Sequence, residues 1–145
     1  MKIKVEDLMS QNVIKVTPHE AVGEVANRLH SKGVKTAPVV DSEDHVIGIV
    51  SLSDLLSAAS ERTPVSNVMT KRVYKIQQYE GAEVAARMMR KHKIHHLIVT
   101  SERRIIGIIS SFDLLRLLDS HKFVASNLGT PRKEKNSSKN MILTI

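Results

Sequence analysis

Two stretches of this chain spell nearly the same segment. Gly48-Ile-Val-Ser51-Leu-Ser-Asp54-Leu-Leu56 returns as Gly107-Ile-Ile-Ser110-Ser-Phe-Asp113-Leu-Leu115. The repeat reaches upstream: Met9, Val13, Lys15, Glu20, Ala26 and Val39 recur sixty residues later as Met69, Val73, Lys75, Glu80, Ala86 and Val99. Past the polar turn at Asp41 to Asp44 the spacing is fifty-nine, so one residue is lost where a deletion costs least. Such a period marks a duplicated structural unit. One unit of about sixty residues is marginal alone, because too little of its surface is buried. Two units packed together cover their exposed sheet surface. They also create a pseudo-two-fold interface whose clefts come in related pairs.

Each unit reads as β-α-β-β-α. In the first, Val5 to Met9 is a short helical lead-in and Val13 to Val16 a strand. Thr17-Pro18-His19-Glu20 then predicts a helix start, with Thr17 as cap, Pro18 at the first helical position and Glu20 closing a capping box. Ala21, Val22, Val25, Ala26 and Leu29 form its apolar stripe, and Gly33 ends it. Strands are expected at Pro38 to Val40 and Val46 to Val50, and a second helix, capped by Ser51, at Leu52 to Ala59. Thr63-Pro64 announces the second unit. The division is residues 1–62, residues 63–120, and a basic extension, residues 121–145, with an apolar end at Met141 to Ile145 that should dock on a surface.

Composition narrows the functions. The hydrophobic fraction of 41% supplies a core, and aromatics at 3% make that core aliphatic. With no cysteine, disulfides and thiolate metal sites are excluded. No run resembles a signal peptide or a membrane span, so a cytoplasmic, membrane-free protein is expected. The net charge of +7 invites a nucleic-acid reading, but four of those charges lie in the extension, where five cations face Glu134. The stacking groups of single-strand binders are nearly missing, so nucleic acid is an unfavoured partner. No nucleophile, base and orienting group can be assembled, so no catalysis is expected.

Ser51-x-x-Asp54 and Ser110-x-x-Asp113 are close to capping boxes, and a lone instance would be read as a helix cap. Here the motif follows an apolar strand twice, in a chain built to make paired clefts. A helix start offers N–H groups to phosphate. A carboxylate beside it can accept from both hydroxyls of a ribose, as in dinucleotide-binding folds. The serine can cap and still present its hydroxyl. His92-x-x-His95-His96 is read as phosphate or solvent contact rather than a metal site, since Ile94 should end the helix and no carboxylate stands nearby.

The doubled β-α-β-β-α order with Gly-x-x-Ser-x-x-Asp at each second helix resembles a pair of cystathionine-β-synthase (CBS) domains, a Bateman module, over about Val5 to Leu118. The resemblance implies an α/β (α+β) fold of two tandem CBS repeats packed with pseudo-two-fold symmetry. It implies a regulatory module that binds AMP, ADP or ATP and acts on a partner protein in trans, with no required cofactor, as a homodimer. S-adenosylmethionine is an alternative ligand, and a ligand-free docking scaffold an alternative role. In the family the aspartate of one repeat works with segments of the other. Carried over, one site joins Ser110 and Asp113 to Ser10, Val13, Val34, Lys35 and Thr36. The other joins Ser51 and Asp54 to Thr70, Val73, Ile94, His95 and His96. Kinase γ members of the family often have His-Arg where this chain has Lys35-Thr36 and His95-His96. Phosphate neutralisation is therefore expected from Lys35, the imidazoles and other nearby cations. Pro38 has no counterpart at Ile98, so the two clefts should not be equivalent.

Overall fold

The computed structural model describes residues 2–119. Met1–Leu114 is one compact unit, and Leu115–Ile145 is a second, whose described part contains the helix Arg116–Asp119. The apolar end at Met141 to Ile145 lies outside the described residues. In the first unit the order is α1 (Val5–Leu8), α2 (Val22–Lys32), β1 (Thr36–Val40), β2 (Val46–Ser51), α3 (Leu52–Leu56), a 3-10 turn (Val65–Asn67), β3 (Lys75–Gln77), α4 (Ala82–His92), β4 (His96–Ser101), β5 (Arg104–Ser110) and α5 (Ser111–Leu114).

The duplication is visible in the pairing. β1 and β2 form an antiparallel hairpin, as do β4 and β5, and both ladders slip at matching places, between Val39 and Val40 and between Val99 and Thr100. The lost residue lies in the hairpin turn. The first turn is a wide loop tied by the Asp41 carboxylate, which accepts from the Glu43 and His45 N–H groups. The second is tight, with Glu102 at φ 48° and Arg103 at φ 72°. Two successive positive φ values match the right-handed twist of a hairpin.

Two expectations fail for a backbone reason, and a third fails at the end of α3. The strand at Val13 to Val16 reduces to one parallel bridge between Val16 and Val39. Val16 N–H donates to Pro38 O (3.0 Å), and Val40 N–H donates to Val16 O (2.8 Å). In the second repeat the ladder runs a step further at each end, because Ile98 N–H donates to Tyr74 O (3.0 Å) and Gln78 N–H donates to Thr100 O (3.0 Å). Pro38 occupies the place of Ile98 and Pro18 that of Gln78, and neither has an N–H to give. The second failure is the helix start. Thr17 to Glu20 closes as a turn, with Thr17 N–H donating to Glu20 Oε2 (2.9 Å), and α2 begins at Val22. The first helical N–H groups find backbone acceptors instead: Val22 N–H donates to Thr63 O (2.8 Å) and Gly23 N–H to Glu61 O (2.9 Å).

Those acceptors reveal an exchange between the repeats. The lead-in of the second repeat satisfies the N-terminus of α2, and the lead-in of the first does the same for α4, where Ala82 N–H donates to Ile3 O (2.9 Å). Val65, from the second lead-in, is fully buried in the first repeat's core with Val16, Val25, Leu29, Val39 and Val50. Val5 is equally buried, and its N–H donates to Glu80 O (2.8 Å). The duplication thus folds as one body whose halves complete each other's helix ends.

Helix ends differ in one respect. Gly33 closes α2 at φ 69°, as expected, but Lys93 closes α4 in the same left-handed region at φ 56°. Helix α3 stops at Leu56, short of the expected Ala59.

Candidate functional site

The second exchange of segments builds the clefts. Ser10 pairs with Ile108 of β5 in both directions, Ser10 N–H to Ile108 O (2.9 Å) and Ile108 N–H to Ser10 O (3.0 Å). Thr70 pairs in the same way with Ile49 of β2, at 2.9 Å each. The backbones can approach because the neighbouring strand positions are Gly48 and Gly107. A Cβ at Gly107 would meet Met9 Sδ at 2.6 Å, and one at Gly48 would meet Met69 Sδ at 2.6 Å. Close approach of another backbone is what strand glycines serve. The result lays each lead-in beside the strand that delivers the opposite repeat's serine and aspartate.

Both Ser-x-x-Asp motifs are complete capping boxes. Asp54 N–H donates to Ser51 Oγ (3.2 Å) and Ser51 N–H to Asp54 Oδ2 (2.9 Å). Asp113 N–H donates to Ser110 Oγ (3.1 Å) and Ser110 N–H to Asp113 Oδ2 (2.9 Å). This geometry fixes both carboxylates through Oδ2 and leaves Oδ1 of each without a hydrogen-bond partner among the described residues.

Ser51 and Asp54 line a cleft of about 320 Å³ together with Thr70, Val73, Ile94, His95 and His96. Every residue expected for that site is present. Ser110 and Asp113 line a second cleft, about 440 Å³, with Ser10, Val34, Lys35 and Thr36. Val13 is not among the residues lining it. It is half-buried, and its N–H donates to Gln11 O (3.0 Å), a local turn that holds it off the wall.

A family model of the CBS domain matches the chain twice, over residues 5–61 and 65–120. The chain belongs to the CBS domain family. Its fold is that of a CBS domain pair. The pair from the protein MJ0100, in complex with 5-methylthioadenosine and S-adenosyl-L-methionine, superposes with a TM-score of 0.76 at 26% identity, covering 83% of this chain and 99% of that one. The CBS-domain protein ATU1752 of Agrobacterium tumefaciens superposes with a TM-score of 0.71 at 30% identity, over 80% of this chain and 93% of that one. Among curated relatives, inosine-5'-monophosphate dehydrogenase of Methanocaldococcus jannaschii is 33% identical over 78% of this chain, which spans only 23% of the dehydrogenase. An uncharacterized 17.7 kDa protein of Acidianus ambivalens is 32% identical over 92% of this chain and 83% of its own length. The family's domain pairs are regulatory ligand-binding modules; relatives that are enzymes carry the CBS part beside their catalytic part. Among the described residues, no helix is long and apolar enough to cross a membrane.

The CBS clefts share a wall. Thr36, His95 and His96 line both. Thr36 Oγ1 and His96 Nε2 are hydrogen-bonded at 3.0 Å across the pseudo-two-fold, where equivalent positions of the two repeats meet. His95 Nδ1 lies 3.3 Å from Ser111 Oγ. His92 stacks on Tyr74, with ring centroids 4.0 Å apart. Among the described residues, no three His, Cys, Asp or Glu side chains are grouped as a metal would require.

Sequence reasoning missed several lining groups. Ile49, Ser53, Arg72 and Tyr74 also line the Asp54 cleft, and Asn12, Ser111 and Phe112 also line the Asp113 cleft. Arg72 supplies a guanidinium close to two residues already expected at that site, Thr70 and Val73. A cation inside an expected segment was the available signal.

Burial lowers the pKa of His96 from its ordinary 6.5, the neighbouring His95 lowers it further, and Asp113 opposes both. Below pH 6.5 the unfolded chain therefore takes up a proton that the fold resists. The contribution of neutral His96 is whole above pH 6.5 and is lost as pH falls through the lower folded value. His96→Gln should flatten this part of the acid slope. Urea midpoints of the native and variant proteins, measured on both sides of pH 6.5, test it. Parallel slopes would remove His96 from the account.

Proposed function

We propose that both clefts bind an adenosine ligand and that occupancy regulates a partner protein. The observation that carries this reading is the crossed assembly: each Ser-x-x-Asp from one repeat faces the other repeat's lead-in and the segment before its central strand. Asp54 and Asp113 each offer a free Oδ1 to a ribose diol. Val34 and Ile94 provide apolar faces for adenine, beside backbone groups at Lys35 and His95. AMP, ADP and ATP are the favoured ligands. Support for the class comes from the 5-methylthioadenosine and S-adenosylmethionine bound by the MJ0100 pair. The cytosolic domain of the magnesium channel MgtE, 27% identical with a TM-score of 0.69, is in complex with ATP.

In this reading residues 1–62 and 63–120 are the two repeats and residues 121–145 an extension. The module acts in trans in the cytoplasm, as a homodimer. A ligand that touches both repeats changes their arrangement only by the difference in its affinity for two arrangements.

Calorimetric titration with AMP, ADP, ATP and S-adenosylmethionine tests the proposal; binding to none at millimolar concentration ends it. A second reading has its own support. Both capping boxes are complete without a ligand, so the serines and aspartates could serve as caps in a docking scaffold. Thermal denaturation separates the two. A ligand at a hundredfold its Kd adds about 2.7 kcal/mol to stability, whereas an empty scaffold shows no shift with any of the four.

A further inference from the structure

The two clefts share one plan but carry different residues at matching positions. Arg72 lines the Asp54 cleft, and the equivalent residue of the Asp113 cleft is Asn12. Ser53, near the start of α3 between Ser51 and Asp54, is matched by Phe112 of α5 between Ser110 and Asp113. The partners differ as well. Arg72 is exposed and makes no ion pair among the described residues. Asn12 is already engaged: its Nδ2–H donates to Lys32 O (3.4 Å), and its N–H donates to Ser10 Oγ (3.3 Å).

A guanidinium presents a planar fork of N–H donors that matches two phosphate oxygens at once, and it stays charged at any physiological pH. The cation on the Asp113 side, Lys35, is an exposed ammonium, a strongly hydrated point charge that selects less by geometry. The Asp54 cleft adds the Ser53 hydroxyl as a further polar group, where the other cleft puts an aromatic ring that is 77% exposed. Phosphate is favoured by the first set and an uncharged or apolar substituent by the second.

We infer that Arg72 makes the Asp54 cleft the phosphate-selective one, so that the two clefts take different adenosine ligands: a nucleotide beside Asp54, and an adenosine without phosphate beside Asp113. This rests on the adenosine reading above. The specificity is carried by one residue at a position where the repeats differ.

The test compares AMP with adenosine by titration calorimetry, on full-length chains in which one cleft is disabled. With Asp113→Ala as background, AMP should bind better than adenosine. Adding Arg72→Asn should weaken AMP by about tenfold or more, the loss expected when a hydrogen bond to a charged group goes, and leave adenosine within about twofold. With Asp54→Ala as background, Asn12→Arg should raise the preference for AMP over adenosine at the remaining cleft. Equal losses of AMP and adenosine in Arg72→Asn, or no loss of AMP, overturn the inference while leaving the adenosine reading of the clefts standing. Failure of the native protein to bind either ligand overturns the adenosine reading and this inference with it.

Discussion

Gly107→Ala is expected to lower stability by about 2 kcal/mol, within the range for overpacking a filled interior. The added methyl would sit 2.6 Å from Met9 Sδ and 2.8 Å from Ser10 O. The methionine can swing aside. The carbonyl cannot, because Ser10 and Ile108 hold each other by two hydrogen bonds. Relief therefore means prying the first lead-in off β5 and opening the wall of the Asp113 cleft. Gly48→Ala meets the same sulfur at 2.6 Å, but its nearest carbonyl, Thr70 O, stands at 3.1 Å. That substitution should cost less, and its damage should fall on the Asp54 cleft. Gly33→Ala is the control. Nothing lies within 4 Å of its added methyl, so only the left-handed backbone at φ 69° opposes it. Urea denaturation ranks the three. A Gly107 variant no less stable than the native protein would mean that the lead-in does not grip the strand.

The grip of lead-in on strand also explains what could be read from the chain and what could not. The repeat, its period and the deleted turn residue are local facts, and so are the capping boxes at Ser51 and Ser110. These made the two half-sites legible in advance, while the crossed pairing of each with the other repeat's segments was implied by the resemblance alone; Val13 does not line its cleft, and Arg72, Tyr74, Asn12 and Phe112 were not among the expected residues. Pro38 was visible too, yet its effect depends on which carbonyl faces it. The missing N–H matters only because Ile14 stands where Tyr74 stands in the other repeat. The start of α2 was misjudged because Thr-Pro-x-Glu suits a turn as well as a helix cap. What decides between them is the run of carbonyls at Glu61 and Thr63, some forty residues away in sequence. Non-local backbone partners leave no local signature. Arg72 escaped notice for a different reason. The resemblance implies phosphate contacts at the positions of Lys35 and His95, while the cation stands in the lead-in segment.

Asp54→Asn and Asp113→Asn should separate the structural role of these residues from the ligand role. In each box the aspartate accepts one backbone N–H through Oδ2. An asparagine oxygen can accept the same bond, so stability should fall by no more than about 0.5 kcal/mol, at the low end for a disturbed cap. Ser51→Ala, which leaves the Asp54 N–H without its acceptor, should cost about 1 kcal/mol. Ligand binding should respond in the opposite order. A carboxylate can accept from both hydroxyls of a diol, whereas an amide presents one oxygen and an NH2 that only donates. Losing a hydrogen bond to a charged group is worth about 1.5–3 kcal/mol, which is tenfold or more in affinity. Asp54→Asn should impose that loss on the cleft that contains Thr70 and His95, and Asp113→Asn on the cleft that contains Ser10 and Lys35. Calorimetric titration of each variant with its ligand resolves the two events. A loss shared equally by both clefts in either variant contradicts crossed assembly. A large fall in stability with affinity unchanged assigns the aspartates to capping alone.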